Sequence, residues 1–287
     1  MNTATKLWTL FKSAYLRFDA HDGAPMAGFI AFSVFLSLFP FAIFFSALAG
    51  VLIGPQDSRA ALDALIDLAP SHITQTLLPV LDEVIGQSRG GLLTLSGLGA
   101  IWVASNAVEA LRVGLDRAYE APEPRSFILR RLVAFGFVLF AAITFTALGF
   151  LIILAPLAIR LAQEWIGFQA PFGMGVVRYA LGLLGFALFL FILNRGLPSK
   201  RPRWRAILPG IVVTSALWML GASGFSIYLA FAPSYTVTYG AFAGVIITLL
   251  FFYLTSAVVI FGAEVNAARI AIRRERMLEE ETDGDDA

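Results

Sequence analysis

Long stretches without a charged residue constrain the fold of this 287-residue chain more than any other feature of its sequence. They cover residues 23–56, 90–108, 132–159, 179–194 and 206–263. A helix that crosses a bilayer needs about 20 apolar residues, so each of the first four stretches fits one span. The last is too long for one span and contains a turn signal at Pro233 and Ser234. We therefore predict six transmembrane helices, near residues 28–54, 91–111, 132–157, 177–195, 207–231 and 239–266.

The composition agrees with a membrane protein. Hydrophobic residues make up 58% of the chain and charged residues 14%, against roughly 45–50% and 25% in a soluble domain. This apolar content excludes intrinsic disorder over most of the chain, and the lack of cysteine excludes a disulfide scaffold and a cysteine metal site. A net charge of +1 argues against a general nucleic-acid binder. We predict an all-α fold, a polytopic bundle of six transmembrane helices that forms one domain over residues 1–272.

Lysine and arginine residues are distributed unevenly between the predicted loops. Of the 21 in the chain, all except Arg59, Arg89, Arg160 and Arg178 fall in the N-terminal segment, the second and fourth loops and the C-terminal segment. Loops on the cytoplasmic side of a membrane carry the excess of these residues. We therefore predict a multi-pass protein whose N and C termini both lie in the cytoplasm.

Three segments outside the predicted spans have patterns of their own. Residues 5–19 carry a helical apolar stripe flanked by basic residues, which is typical of a helix on the cytoplasmic leaflet or on the protein's own cytoplasmic face. Residues 55–90, between the first two spans, contain two short stripes separated by Pro70 and Ser71. We predict two amphipathic periplasmic helices there, which form a lid over an opening or pack over the helix ends. The acidic residues 273–287 have no apolar period and are predicted to be a disordered tail.

Polar residues in or beside the predicted spans are the first candidates for function, because charge is costly in lipid. Glu264 lies near the cytoplasmic end of the last span, and Asn266, two positions on, faces away from it by helical geometry. Glu109 lies at the cytoplasmic end of the second span, with Asn106 one turn earlier, and Arg178 begins the fourth span on the periplasmic side. These residues line a polar cavity for a substrate or proton, or the two glutamates pair with cytoplasmic arginines and hold the bundle together.

Two prolines inside predicted spans, Pro40 in the first and Pro156 near the end of the third, predict helix kinks. The carbonyl groups that a kink frees must be satisfied within the protein or by a water-filled cavity. Ser33 and Ser37 precede Pro40 on nearly the same side, so they line such a cavity or relieve packing strain. Small residues in the last two spans also indicate that these helices pack closely: Gly221, Gly224, Gly240 and Gly244.

Motifs for the common chemistries are absent from the sequence. It contains no GxxxxGK[ST] phosphate loop and no HExxH zinc motif. The two histidines, His21 and His72, fall on opposite sides of the membrane in the predicted topology and cannot share a metal. We therefore predict no catalytic residues, no cofactor and no metal site, and we expect that the protein is not an enzyme.

Several blocks of sequence, in the same order, resemble the YihY/BrkB family of bacterial inner-membrane proteins. The blocks are 31–40 (AFSVFLSLFP), 102–119 (WVASNAVEALRVGLDRAY), 124–127 (PRSF), 197–198 (LP), 204–210 (WRAILPG), 239–240 (YG) and 262–266 (GAEVN). The resemblance covers roughly residues 10–272 and implies a six-helix inner-membrane protein of unknown molecular function. Some family members carry a serum-resistance or virulence label, and many carry the misnomer ribonuclease BN. The family usually has Asn at or beside the position of Asp116.

Two functions of different class remain. The first is a transporter or translocase of an amphiphilic, lipid-like substrate, with Glu264, Glu109 and Arg178 as gate or headgroup contacts. The second is a non-catalytic membrane scaffold for envelope assembly. A polar cavity that reaches Glu264 would favour transport, whereas a dry core with Glu264 paired to an arginine would favour the scaffold. The predicted partners are membrane lipids, with a second copy of the chain or envelope proteins left open; nucleic acid and ribonuclease activity are not expected.

Overall fold

The computed structural model describes residues 3–52, 90–166, 174–230 and 242–285. Within these ranges the chain forms seven α-helices and no β-strand, so the predicted all-α fold is confirmed. The helices are α1 (Thr3–Ala20), α2 (Gly23–Leu52), α3 (Gly90–Ala118), α4 (Phe127–Ile166), α5 (Met174–Gly196), α6 (Trp204–Ala230) and α7 (Phe242–Asp285).

Helices α2 to α7 each overlap one of the six predicted spans, in order. Among the described residues, four helices, α4 to α7, are long and apolar enough to cross a membrane. The count becomes five if α1 and α2, which are bent by 66° relative to each other, form one broken span. The helical membrane architecture is therefore as predicted, whereas the number of six spans stays a prediction.

Helix α7 is the centre of the bundle. Each helix from α2 to α6 packs against the next one along the chain, and α7 packs against both α6 and α2, which closes the ring. Helix α7 also contacts α1 and α3. Its residues 262–268 are all buried, and the largest buried apolar cluster surrounds them at the adjoining ends of α3, α5 and α6. The described core thus lies at the end of the bundle that we predict to be cytoplasmic.

Helices α6 and α7 approach each other most closely at two glycines. A Cβ atom on Gly210 would lie 2.1 Å from the carbonyl oxygen of Gly262, and one on Gly262 would lie 1.8 Å from Thr214 Oγ1. Small residues permit such an approach between helices in a membrane. The close packing of these two helices is observed, but not at Gly221 and Gly224, where an added Cβ would meet no described atom within 4 Å. The crossing point depends on the angle between the helices, which the spacing of glycines does not encode.

Helix α1 has one face against the bundle and one exposed apolar face. Ala14 is fully buried against α7, and the rings of Phe11 and Phe18 lie 6.5 and 6.0 Å from that of Phe261. Four other apolar side chains of α1 are exposed: Leu7, Trp8, Tyr15 and Leu16. The contact of residues 5–19 with the protein's own surface is therefore observed, and contact of the exposed face with a lipid leaflet stays a prediction.

Helix α7 continues to Asp285, through the acidic segment for which the sequence indicated a disordered tail. The residues from 273 to 281 are Arg, Glu, Met and Leu, all of which are strong helix formers. The absence of an apolar period therefore does not stop such a segment from extending a helix that packing has already formed.

Some predicted features lie outside the described residues. They include most of residues 55–90, with the two periplasmic helices and the lid, and also Gly240. Pro40, Pro156 and Arg178 lie within α2, α4 and α5, but their side chains are outside the described part of the chain. The roles predicted for these residues stay predictions.

Candidate functional site

A cleft of about 330 Å³ between α2 and α3 brings together three of the predicted site residues. Ser33 lines it from α2, and Asn106 and Glu109, one turn apart, line it from α3. The other described lining residues are apolar and come from both helices: Phe29, Phe32, Leu36, Val103, Ala110 and Val113. The spacing of three and four positions places each set on one face of its helix. We call this site the α2–α3 cleft.

The α2–α3 cleft is lined mainly by apolar side chains, with three polar side chains among them. Phe29, Phe32 and Leu36 are exposed at its rim, whereas Ser33 is buried inside it. The Ser33 hydroxyl donates a hydrogen bond to the carbonyl of Phe29 at 2.8 Å, so its oxygen keeps only its acceptor function for a ligand. Ser37 donates to the carbonyl of Val34 at 2.6 Å and is not among the described lining residues. Of the two serines, only Ser33 therefore belongs to the cleft.

Glu109, which lines the cleft from the C-terminal half of α3, is paired with two arginines. Its Oε1 accepts hydrogen bonds from Arg112 Nη2 at 2.8 Å and from Arg130 Nη1 at 3.3 Å. Its Oε2 accepts a further bond from Arg112 Nε at 2.9 Å. The negative charge is compensated within the protein, so the cleft offers a ligand neutral polar groups, chiefly the exposed Asn106 amide.

Glu264 does not reach the cleft; it is fully buried where α1 crosses α7. Its Oε1 lies 2.7 Å from His21 Nδ1, and its Oε2 accepts a hydrogen bond from Arg17 Nε at 3.3 Å. Arg17 also donates to the carbonyl of Ala118 at 3.2 Å and to Glu120 Oε1 at 2.8 Å. This polar centre ties α1 and the end of α3 to α7. It is the paired glutamate that the sequence analysis associated with a scaffold.

Asn266 belongs to a separate buried network, on the side of α7 away from Glu264, as helical geometry predicts. Its Oδ1 accepts a hydrogen bond from the backbone N–H of Gly210 at 2.7 Å, and its Nδ2 donates to Tyr119 Oη at 3.2 Å. Tyr119 in turn donates to Asn194 Oδ1 at 2.9 Å. The side chain therefore joins α5, α6 and α7 at the closest helix crossing, and it lines neither the cleft nor the Glu264 centre.

A further set of buried charges holds the connection after α3. We call it the Arg112 cluster, and it consists of Arg112, Asp116, Glu123, Arg125 and Ser199. Arg112 is almost fully buried and pairs with both Asp116 and Glu123. Asp116 accepts hydrogen bonds from the backbone N–H and the hydroxyl of Ser199, at 2.7 and 2.9 Å. Its three partners approach as donors, which suits a carboxylate better than an amide.

Glu123 is the strongly ionised member of this cluster. Its partial burial disfavours the charged form, but hydrogen bonds from the Arg125 side chain and backbone outweigh that effect and lower the pKa of Glu123 to about 2. A second cavity, of about 380 Å³, lies beside the cluster and is lined by mutually paired charges. Within the described part of the chain, no group of three or more potential metal-ligating side chains is arranged to hold a metal ion.

The partners of the predicted residues are what sequence reasoning missed. Arg17 and His21 lie 247 and 243 positions from Glu264, and no local pattern links them. One signal was present: Arg17 and His21 are four positions apart, so they share a helix face that can reach one acid. The same four-residue spacing relates Arg112 and Asp116.

Comparison with known proteins gives one family over nearly the whole chain. A family model described as "Virulence factor BrkB" matches residues 14–285. A protein of Bacillus subtilis named "Putative ribonuclease-like protein YfkH" is 28% identical over 261 residues, which cover 90% of this chain and 94% of that protein. "UPF0761 membrane protein RSc1559" of Ralstonia nicotianae is 28% identical over 265 residues, 90% of this chain and 58% of that protein. No solved structure matches the chain.

A further relative has the same kind of name as the Ralstonia protein. A "UPF0761 membrane protein" of Chromohalobacter salexigens is 31% identical over 262 residues, which cover 88% of this chain and 60% of that protein. The chain therefore spans nearly all of the Bacillus relative but only about three fifths of the Ralstonia and Chromohalobacter relatives. The latter two carry the word membrane in their names, in agreement with the apolar helices described above.

Proposed function

The chain belongs to the virulence factor BrkB family, and from that premise we propose that it moves an amphiphilic, lipid-like substrate in the bacterial inner membrane. The α2–α3 cleft is the observation that carries this proposal. It combines a mainly apolar lining with the neutral polar groups of Ser33 and Asn106, and an amphiphile needs both kinds of surface. Its ligands are membrane lipids or molecules of similar build.

The dimensions of the cleft limit what it holds. Ligand pockets usually enclose about 300–1,000 Å³, and the cleft, at about 330 Å³, is at the lower end of that range. It therefore accommodates the headgroup-proximal part of a lipid, while the remaining tail stays in the bilayer next to Phe29, Phe32 and Leu36. Asn106 and Ser33 are the direct polar contacts, and Glu109 positions Arg130 at the cytoplasmic end. Glu264, enclosed between α1 and α7, is not part of this path.

A scaffold for envelope assembly is the second candidate, and the Glu264 centre is the observation that favours it. A buried glutamate paired with Arg17 and His21 fixes helix positions and offers no opening to a substrate. The exposed apolar face of α1 would then contact a partner, which is a second copy of the chain or an envelope protein. We further propose that both termini lie in the cytoplasm and that the chain is not a ribonuclease, because its sequence lacks the motifs for metal-assisted hydrolysis.

Lipid exchange in reconstituted vesicles tests the transport proposal. Purified protein is placed in vesicles with fluorescent phospholipids, and the rate at which label changes leaflet is compared with protein-free vesicles. The wild-type protein is expected to accelerate exchange. Asn106→Phe, which fills the cleft from an exposed position, is expected to reduce the exchange rate towards that of protein-free vesicles. Asn106→Ala leaves the cleft open and is expected to keep most of the wild-type exchange rate.

The control is Leu139→Phe, which introduces the same side chain at an exposed position of α4 outside the cleft. It should leave exchange unchanged. Wild-type rates equal to those of empty vesicles, for several headgroups and with an imposed proton gradient, would contradict the transport proposal and favour the scaffold. Equal losses in Asn106→Phe and Leu139→Phe would show that the cleft is not the path.

A further inference from the structure

Arg131, at the start of α4, is an arginine for which the described part of the chain provides no acidic partner. Its guanidinium carbon lies 4.1 Å from the ring centroid of Trp102 in a cation–π contact. Its Nε atom is buried and has no hydrogen-bond acceptor among the described residues. The preceding residue, Arg130, differs in that it pairs with Glu109 at 3.3 Å. Arg131 is thus a positive charge that the protein positions but does not neutralise.

The surface around Arg131 is apolar and exposed. Trp102 is 51% exposed, Leu98, one turn before it on α3, is 65% exposed, and Ile128, one turn before Arg131 on α4, is 70% exposed. The ring of Phe135, one turn after Arg131, lies 6.4 Å from that of Trp102. A soluble anion gains nothing from such surroundings, whereas an anion attached to acyl chains gains both a charge pair and apolar contact.

Stacking on the tryptophan ring orients the guanidinium without consuming its N–H groups. Such a planar cation binds phosphate through paired hydrogen bonds, which a flexible ammonium group does less well. In the predicted topology Arg131 lies at the cytoplasmic start of the third span, on the side where anionic lipids give the leaflet its negative potential. Trp102 lies within the second span, at the depth where an acyl chain runs. Position, geometry and charge therefore indicate the same class of ligand, a phosphate group attached to acyl chains.

We propose that Arg131 and Trp102 form a binding site for the phosphate of an anionic phospholipid of the cytoplasmic leaflet, with an acyl chain lying along Leu98 and Phe135. The site is beside the α2–α3 cleft but is not part of it, since neither Trp102 nor Arg131 is among the residues that line the cleft. The proposal goes beyond transport, because a lipid is held at this site whether or not the protein moves one.

Native mass spectrometry of the purified full chain tests the site. The probe is phosphatidylglycerol, with phosphatidylcholine as the zwitterionic reference of equal chain length. The wild-type protein is expected to retain phosphatidylglycerol in preference to phosphatidylcholine, and Arg131→Gln is expected to weaken that retention about tenfold, since a charge-assisted phosphate contact is lost. Arg131→Lys keeps the charge without the planar stack and should fall in between. Inorganic phosphate at the same concentration should not displace the lipid.

The matched control is Arg117→Gln, which removes a cytoplasmic arginine that is exposed and already paired with Asp22. It should retain the lipid as the wild type does. Equal losses in Arg117→Gln and Arg131→Gln, with both proteins folded, would overturn the proposal in favour of diffuse attraction to anionic lipid. No preference for phosphatidylglycerol in the wild type, or full displacement by inorganic phosphate, would overturn it as well. None of these readouts depends on lipid movement, so failure of transport leaves the result interpretable.

Discussion

Glu264 determines whether the N-terminal helix stays attached to the bundle. Its carboxylate is fully buried and has as its partners Arg17, on α1, and His21, the residue that directly follows α1. Glu264→Gln keeps the shape of the side chain but removes its charge. It is expected to lower the free energy of unfolding by roughly 1–3 kcal/mol, because charge-assisted bonds become neutral ones. Thermal unfolding in detergent measures this loss, and trypsin cleavage at Lys6 and Lys12 reports whether α1 detaches first.

The control for this change is Glu275→Gln, which removes an exposed carboxylate from the same helix. Its unfolding midpoint and its rate of cleavage in α1 should match those of the wild-type protein. If Glu264→Gln is as stable and as resistant to trypsin as Glu275→Gln, the buried pairs do not hold α1 in place.

Glu123 makes the stability of the connection between α3 and α4 dependent on pH. Its pKa is lowered from 4.5 to about 2, so the ionised form stabilises the folded protein above pH 4.5 and this contribution is lost as the pH falls towards 2. Glu123→Gln is expected to lower the free energy of unfolding by roughly 1–3 kcal/mol at pH 7. The gap in unfolding midpoint between wild type and variant should stay constant from pH 7 to about 5.5 and narrow below pH 4.5.

Glu120→Gln serves as the comparison, because Glu120 is close in sequence but mostly exposed. Its pair with Arg17 is screened by solvent, so its removal should cost much less than that of Glu123. If the difference in unfolding midpoint between the wild type and Glu123→Gln is as large at pH 3 as at pH 7, the charge of Glu123 is not what stabilises the fold.

Single residues show what a sequence can and cannot reveal about such a site. The rule that charge is costly in lipid singles out Glu109 and Glu264, and both are indeed paired. The rule does not reveal that the two glutamates have different surroundings: Glu109 borders a cleft, whereas Glu264 is enclosed by α1. That difference arises because α1 folds back on α7, a contact between residues more than 240 positions apart. Interactions over such a separation leave no local pattern.

At the scale of helices, the crossing of α6 and α7 depends on the absence of a side chain at Gly210. A Cβ atom there would lie 2.1 Å from the carbonyl oxygen of Gly262 and 2.4 Å from Asn266 Nδ2. Backbone atoms cannot rotate away, so Gly210→Ala must separate the helices and disturb the bond between Asn266 and the Gly210 N–H. We expect it to lower the free energy of unfolding by at least about 1–3 kcal/mol, the usual cost of overpacking, as measured by thermal unfolding.

Gly221→Ala is the matched control on the same helix, since an added methyl group would meet no described atom within 4 Å. Alanine is the better helix former by about 1 kcal/mol, so this variant should be as stable as the wild type or slightly more stable. Equal stability of the two variants would mean that α6 and α7 do not approach each other at Gly210.

The helices themselves were largely predictable, because apolar length and the positions of charges determine where a membrane helix begins and ends. The ends of α5 and α6 lie within three residues of the predicted limits of the fourth and fifth spans. The lateral arrangement was not predictable. Gly221 and Gly224 have the spacing of packing residues, yet the contact forms at Gly210 and Gly262. Spacing identifies a face that permits close approach, and only the partner helix decides which part of it is used.

At the scale of the whole molecule, the bundle is polar at one end and apolar along its sides. The Glu264 centre lies halfway along α7, and the Arg112 cluster lies at the C-terminal end of α3. Two arginines contact tryptophan rings, Arg131 with Trp102 at 4.1 Å and Arg205 with Trp204 at 4.8 Å. Tryptophan and arginine together are typical of the headgroup region of a bilayer. We therefore expect these two arginines, at the starts of α4 and α6, to mark where the molecule meets the interface.

The side of the membrane that this polar end faces is testable with single cysteines, because the chain has none of its own. Arginine is retained on the cytoplasmic side, so Ser126→Cys, between α3 and α4, and Thr282→Cys, near the C terminus, should react with a membrane-impermeant maleimide only after spheroplasts are permeabilised. Ser58→Cys, in the loop after the first predicted span, should react in intact spheroplasts. The wild-type protein, which has no cysteine, gives the background level of maleimide labelling. Labelling of Ser126→Cys in intact spheroplasts would invert the topology and, with it, the leaflet from which Arg131 draws its lipid.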